Sequence, residues 1–425
     1  MSSNHFVVKE YQVPCSHIRE LPNALAVDEG TSDATLHLSV KQYIPKHSRP
    51  PRPGDVTIIF LHASTFFKEL YEPLFDDLLT QQPPDTKTRI RSIWAADVAT
   101  QGSSYVLNEN KLATGVSWDD HPRDLLNMIN IFRDQMVPPI MGIGHSMGGT
   151  QLVQLSKLHP RLFHSVAFLD GWFAYRWDPA DPKGFWKRAT NKRDRFENLE
   201  VASKQYERAP ALKTWNPRVL TKYKEHGFRR LPTVLYPEKH PEKEEVSLLT
   251  PGPMELHSQT RTTIDVDINL DDRFFRLHYP DFSEDLKFSW PYYQGAPAFA
   301  GQYLPHLRPR ALFLYGNKGS IVKPELQKDN EEHTGIGTGG SGGVKLGCVR
   351  SDVVAGGHFF PFENPSGTAE KLSQWLQDEA EVWTLENEEL RKRFGHGRSA
   401  RERQLLPDSY HEVTKSWASK KESKL

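Results

Sequence analysis

The feature that most constrains this chain is six residues long, Gly144-His145-Ser146-Met147-Gly148-Gly149. An apolar run, Pro139 to Ile143, stands directly before it, and a helix-like segment, Met147 to Leu158, begins inside it. A G-x-S-x-G pattern at a strand-to-helix junction demands a tight turn with a serine at its apex, and the glycines two before and two after leave room for neighbouring backbone. Such a turn holds the serine in a strained conformation and pushes its hydroxyl out at the carboxyl edge of a sheet. There it lies beside a helix amino terminus, which favours developing negative charge. Ser146 is therefore the candidate nucleophile, and its surroundings must include a strand, a helix and a sheet.

The rest of the chain supplies them. Val56 to Leu61 is nearly continuously apolar, as are Ile90 to Ala95, Ile140 to Gly144, Ser165 to Leu169, Arg310 to Tyr315 and Asp352 to Ala355. Runs of this kind mark strands buried on both faces. Thr35 to Ile44 alternates Leu36, Leu38 and Val40 with polar residues, as a half-buried strand should. Helix-like segments lie between and after these strands, at Phe67 to Leu79, Trp118 to Phe132, Gly148 to His159 and Thr368 to Leu376. The alternation predicts a mostly parallel sheet with helices on both faces, and the serine turn makes this the α/β-hydrolase fold. With 425 residues there is chain enough for one large core and an insertion. The core is expected over residues 1–170 and 296–382. Residues 171–295, rich in aromatics, prolines and mixed charge, break the rhythm and are expected to form an inserted cap. A charged tail, 383–425, closes the chain.

A serine hydroxyl is a poor nucleophile until a base removes its proton. In this fold the chain order is nucleophile, acid, histidine, and Gly356-Gly357-His358 follows the last apolar strand, so His358 is the expected base. The acid has two candidate places. In the commoner one, after Leu312-Phe313-Leu314-Tyr315-Gly316, the chain carries Gly319 and Ser320, and the next carboxylates, Glu325 and Asp329, fall within a predicted helix. The other place is the end of Ser165 to Leu169, where Asp170 closes an apolar strand. A carboxylate there is costly to bury without a partner, and His358 would be that partner. Asp170 is the expected acid, with Glu325 and Asp329 as alternatives. Two backbone N–H groups should face the charge that develops on the attacked carbonyl. Met147 supplies one and Ser64, in the loop after Val56 to Leu61, the other; Ala63 stands before it where glycine is usual.

Other chemistry finds little support. Lys plus Arg and Asp plus Glu each number 54, so bulk charge favours neither nucleic acid nor an anionic membrane. Cys15 and Cys348 are the only cysteines, too few for a disulfide framework or a cysteine-rich zinc cluster. The glycine-rich stretch Gly335 to Gly343 satisfies G-x-G-x-x-G, yet polar residues precede it and no helix opens at its end, so a loop between strands is expected instead of a dinucleotide site. No cofactor and no metal are expected. The first residues, Met1 to Leu21, lack a signal-peptide run, and no stretch approaches the length of a spanning helix, so no stable membrane insertion is expected. The chain ends in Ser423-Lys424-Leu425, the tripeptide read by the peroxisomal import receptor, which predicts a peroxisomal address with that receptor as partner.

His62-Ala63-Ser64 with Glu69 to Pro73, Ala96-Asp97 with Gln101-Gly102-Ser103, the turn at Ser146, Leu162 to Asp170, Lys213 to Phe228 and the loop to His358 carry a resemblance. Together they resemble the fungal α/β-hydrolases that include the peroxisomal hydrolases of host-selective toxin biosynthesis, and more distantly the yeast peroxisomal lipase. The resemblance spans roughly Thr35 to Gln377. It implies a Ser-acid-His hydrolase of the peroxisome acting on lipid-like or polyketide-like acyl compounds, with the acid at the position of Asp170, although Gly171 stands where that family would have proline. The expected activity is hydrolysis of an ester or thioester through a Ser146 acyl-enzyme. An acyltransferase on the same fold and a non-catalytic ligand-binding protein are the alternatives.

Overall fold

The computed structural model describes all residues except 1–3, 27–33, 47–48, 83–85, 87, 174–186, 188, 239, 241, 265, 284–291, 395–396, 398 and 423–425. The import tripeptide thus lies outside the described residues. The chain forms two compact units, Met1–Ala380 and Glu381–Leu425.

The first unit is built on eight strands: β1 (Phe6–Pro14), β2 (His37–Pro45), β3 (Val56–Leu61), β4 (Ile90–Ala96), β5 (Ile140–His145), β6 (Ser165–Leu169), β12 (Arg310–Gly316) and β13 (Val349–Val354). Their order in the sheet is β1-β2-β4-β3-β5-β6-β12-β13. The two pairings at the β1 end are antiparallel, β1 with β2 and β2 with β4, and the other five are parallel. The central strands are wholly buried and alternate their side chains between two cores. Ile58, Phe60, Met141, Ile143 and Leu169 face one core, together with Leu74, Phe75 and Leu78 of α1 (Glu72–Thr80). Ile59, Leu61, Val166 and Phe168 face the other. That side is covered by Leu125 and Met128 of α3 (Asp120–Ile131) and by Leu152 and Leu155 of α4 (Met147–Leu158). Each such side chain, fully buried, contributes roughly 1.5–3 kcal/mol, which is why the apolar runs of the sequence find these strands so directly. The helix α2 (Gly102–Asn108) was not foreseen; its seven residues are too few for an apolar stripe to register.

Two strands differ from expectation. The last was expected at Asp352 to Ala355 and occupies Val349–Val354 instead: as the edge strand it buries Val349 and Val354 and exposes Arg350, Ser351 and Val353, so no continuous apolar run marks it. β1 escaped notice for the same reason, since Lys9 and Glu10 lie in its exposed middle.

The segment 171–295 contains regular structure after all. Three short strands, β7 (Arg195–Phe196), β8 (Phe228–Arg230) and β9 (Val246–Leu248), form an antiparallel sheet in the order β7-β9-β8, and β10 (Arg261–Thr262) pairs with β11 (Tyr292–Tyr293). Strands of two or three residues are too short for periodicity to reveal. Gly335 to Gly343 lies between the helix Pro324–His333 and β13, as a connection. The second unit holds the end of the helix Pro365–Phe394 and the helix Asp408–Glu422. Among the described residues no helix is long and apolar enough to cross a membrane.

Candidate active site

Ser146 sits between β5 and α4 with φ +54° and ψ −115°, a conformation that L-residues rarely adopt and that costs of order 1–3 kcal/mol. The flanking glycines permit it. A Cβ on Gly148 would lie 2.3 Å from the carbonyl oxygen of Leu61, and one on Gly144 would lie 2.4 Å from that of Gly148. The crossing of β3, β5 and α4 thus leaves no space for side chains at those two points. The Ser146 N–H donates to the Leu169 carbonyl at 3.0 Å, which ties the turn to β6.

Asp170 follows β6 and is also held at positive φ, +45°. Its N–H donates to the Leu314 carbonyl at 2.8 Å, so β12 fixes its backbone. The carboxylate is wholly buried and accepts three hydrogen bonds: from the Ser320 hydroxyl, from the Ile321 N–H at 3.1 Å and from His358 Nδ1 at 2.6 Å. On its other side His358 places Nε2 3.0 Å from Ser146 Oγ. An ionised carboxylate only accepts, so Nδ1 carries the proton and Nε2 has the lone pair that faces the serine hydroxyl. Ser146 is 7% exposed. Glu325 and Asp329 lie on the helix Pro324–His333. Among the described residues, Asp170 is the carboxylate hydrogen-bonded to His358.

The loop after β12, the other place considered for the acid, carries Ser320, and its hydroxyl donates to Asp170. Sequence reasoning named this residue only as a vacancy; nothing in a loop serine announces its partner. It also missed Glu363, whose Oε2 accepts the Gly357 N–H at 2.7 Å while its Oε1 accepts the Thr214 hydroxyl at 2.8 Å. Glu363 thereby anchors the loop that carries His358.

The loop after β3 is held from several sides. His62 Nε2 accepts the Val98 N–H at 3.0 Å, leaving Nδ1 to donate to the Ala63 carbonyl at 2.8 Å. The left-handed residue is Thr65, at φ +68°, and its N–H donates to Gln101 Oε1 at 2.9 Å. Lys68, wholly buried, places Nζ 2.6 Å from Asp97. Burial alone would lower its pKa, but Asp97 and Glu69 outweigh it and hold the ammonium above its usual range. Leu61 of β3 pairs with Gly144 of β5, so Ser64 and Met147 stand beyond the carboxyl ends of neighbouring strands. The Ser64 hydroxyl is buried with no hydrogen-bond partner among the described residues. Phe66, Trp215, Phe359 and Phe362 form an aromatic cluster against the ring of His358 and its neighbour His145.

No protein-family model matches the chain. A Penicillium roqueforti protein described as type I acyl-CoA thioesterase mpaH is 33% identical over 440 residues, covering 98% of this chain and 96% of that one. The chain belongs to this family of fungal α/β-hydrolases. It is a hydrolase, as its turn at Ser146 suggested. An Alternaria alternata protein, abhydrolase domain-containing protein ACTT2-1, is 23% identical over 250 residues, covering 58% of this chain and 87% of its own. Among solved structures, the peroxisomal α/β-hydrolase Lpx1 of Saccharomyces cerevisiae matches with a TM-score of 0.67 and 17% identity over 99% of both chains, which supports the fold. The fungal α/β-hydrolase resemblance read from the sequence agrees with these relatives.

Proposed function

We propose that this hydrolase is a serine thioesterase that cleaves a lipid-like or polyketide-like acyl-CoA through an acyl-enzyme on Ser146, with His358 as base and Asp170 as acid. The reading rests most on one observation, the hydrogen-bonded series Ser146 Oγ, His358 and Asp170, at 3.0 and 2.6 Å. The thioester preference is carried over from the mpaH relative.

In this mechanism His358 Nε2 takes the proton as Ser146 Oγ attacks the thioester carbonyl, and Asp170 stabilises the imidazolium that forms. The Ser64 and Met147 N–H groups receive the oxyanion. Collapse of the tetrahedral species breaks the carbon–sulfur bond, and His358 returns its proton to the leaving thiolate. A water molecule, deprotonated by the same nitrogen, then frees the acid and regenerates Ser146. Phe66 and Phe359, partly buried and backed by the buried Trp215 and Phe362, give an acyl chain an apolar wall close to His358. Segment 171–295, which supplies Trp215, acts as the cap. The enzyme works in the peroxisome, delivered by the import receptor through Ser423, Lys424 and Leu425. Its place in secondary metabolism follows from the company of its relatives.

Thiol release from a series of acyl-CoAs of increasing chain length, set against matching oxygen esters, tests the proposal. Turnover of the thioesters, abolished by a fluorophosphonate that labels Ser146, is expected. A folded enzyme that takes no label and releases no thiol from any member would end it.

A further inference from the structure

The residue before the nucleophile is a histidine with no exposure to solvent. Three hydrogen bonds run through it in series. The Ala63 N–H donates to Tyr71 Oη at 2.9 Å, Tyr71 Oη lies 2.8 Å from His145 Nδ1, and His145 Nε2 lies 3.0 Å from the carbonyl oxygen of His358. Ala63, Tyr71 and His145 are all buried.

The proton positions follow from the partners. A carbonyl only accepts, so His145 Nε2 carries the hydrogen. The neutral ring then offers a lone pair at Nδ1, the Tyr71 hydroxyl donates to it, and the tyrosine oxygen is free to accept from Ala63. Burial, helped by the nearby His358, holds the pKa of His145 well below the usual histidine value, so the ring stays neutral. Burial likewise pushes the Tyr71 hydroxyl up. Each hydrogen of the series has an acceptor, and each acceptor atom is used. A charged His145 ring would leave the Tyr71 hydrogen without one.

The series joins three pieces of backbone that the mechanism needs in register. Ala63 is the neighbour of Ser64 in the oxyanion loop, His145 precedes Ser146, and His358 offers its carbonyl to His145 while its ring faces Ser146. No bond of the reaction is made or broken in the series. We propose that Tyr71 and His145 are positioning residues which lock the oxyanion loop and the His358 loop to the nucleophile turn, so that neither loop can shift alone. The proposal rests on the assignment of Ser146 and His358 as nucleophile and base. Its consequence is kinetic, because a displacement of about 1 Å in a reacting group costs on the order of 10²-fold in rate.

The test uses the full-length Tyr71→Phe, His145→Gln and His145→Leu variants and the Tyr71→Phe/His145→Gln double variant. Turnover of an acyl-CoA is expressed per site, with sites counted by fluorophosphonate labelling carried to completion. Tyr71→Phe should lower kcat per labelled site by roughly 10- to 100-fold with KM within about threefold, since positioning acts on the transition state. The double variant should lose no more than the worse single variant, because either change already breaks the series. His145→Gln, which keeps a donor and an acceptor, should retain more turnover than His145→Leu; that comparison decides if Tyr71→Phe fails to fold. A folded Tyr71→Phe with unchanged kcat per labelled site would overturn the proposal, as would a loss confined to the number of labelled sites or equal losses in His145→Gln and His145→Leu. Absence of labelling in the wild type would instead refute the assignment of Ser146.

Discussion

Asp170 has two oxygens and three donors, and the donors differ in what their loss should do. In the proposed mechanism His358 Nδ1 is the one that matters for chemistry, because there the carboxylate fixes the tautomer and stabilises the imidazolium. Asp170→Asn should therefore lower kcat by about 10⁴ while the protein stays folded, as steady-state kinetics beside a denaturation curve would show. Glu325→Gln and Asp329→Asn should leave kcat within about twofold, since neither side chain is hydrogen-bonded to His358. Ser320→Ala removes a charge-assisted donor from a buried carboxylate, a change of about 1.5–3 kcal/mol, and kcat should fall by about tenfold or more as Asp170 loses its fixed orientation. An unaltered Ser320→Ala enzyme would mean that Ile321 and His358 suffice to hold Asp170. Residues of this site were legible in the sequence where chemistry left an anomaly: a serine between glycines, a carboxylate closing an apolar strand, a histidine after paired glycines. Ser320, Glu363, Tyr71 and Gln101 were not, because their roles depend on contacts with residues distant in the chain.

Among the elements, α3 carries an unusual cost. His121 stands in its first turn, wholly buried, with neither ring nitrogen hydrogen-bonded among the described residues. Burial pushes its pKa well below the usual value, with His62 and Arg19 adding to the effect. The sign of the consequence is fixed by linkage. The unfolded chain takes up a proton at this histidine as pH falls below about 6.5 and the native one does not, so the wild type loses stability there by up to about 1.4 kcal/mol per pH unit. His121→Leu cannot lose it. Its stability relative to wild type, from denaturant curves, should rise as pH falls from 7.5 to 5.5; a difference that stays constant would show that His121 is not buried neutral. Elements were legible in proportion to how deeply they are buried. β3, β5 and β6 are covered on both faces and wrote apolar runs into the sequence, whereas β1, β13 and the short strands β7 to β11 are exposed or brief and wrote almost nothing.

For the whole molecule, the proposed address and the activity should be separable. Blocking the carboxyl terminus with a fused fluorescent protein should keep the hydrolase in the cytosol, and a fusion at Met1 should mark peroxisomes; import of the blocked form would refute Ser423-Lys424-Leu425 as the signal. The carboxyl-terminal fusion should not change thiol release by the purified enzyme, because the sheet and the candidate active site lie in Met1–Ala380 and the fusion is attached to the other unit. The central claim is that Ser146 carries the acyl group during thioester cleavage. Mass spectrometry of enzyme quenched during acyl-CoA turnover tests it most directly. The peptide containing Ser146 should gain the mass of the acyl group in the wild type, and a folded Ser146→Ala variant should show neither the adduct nor thiol release above about 10⁻⁴ of the wild-type rate. Thiol release by that variant at the wild-type rate, or an acyl group found on another residue, would contradict the claim.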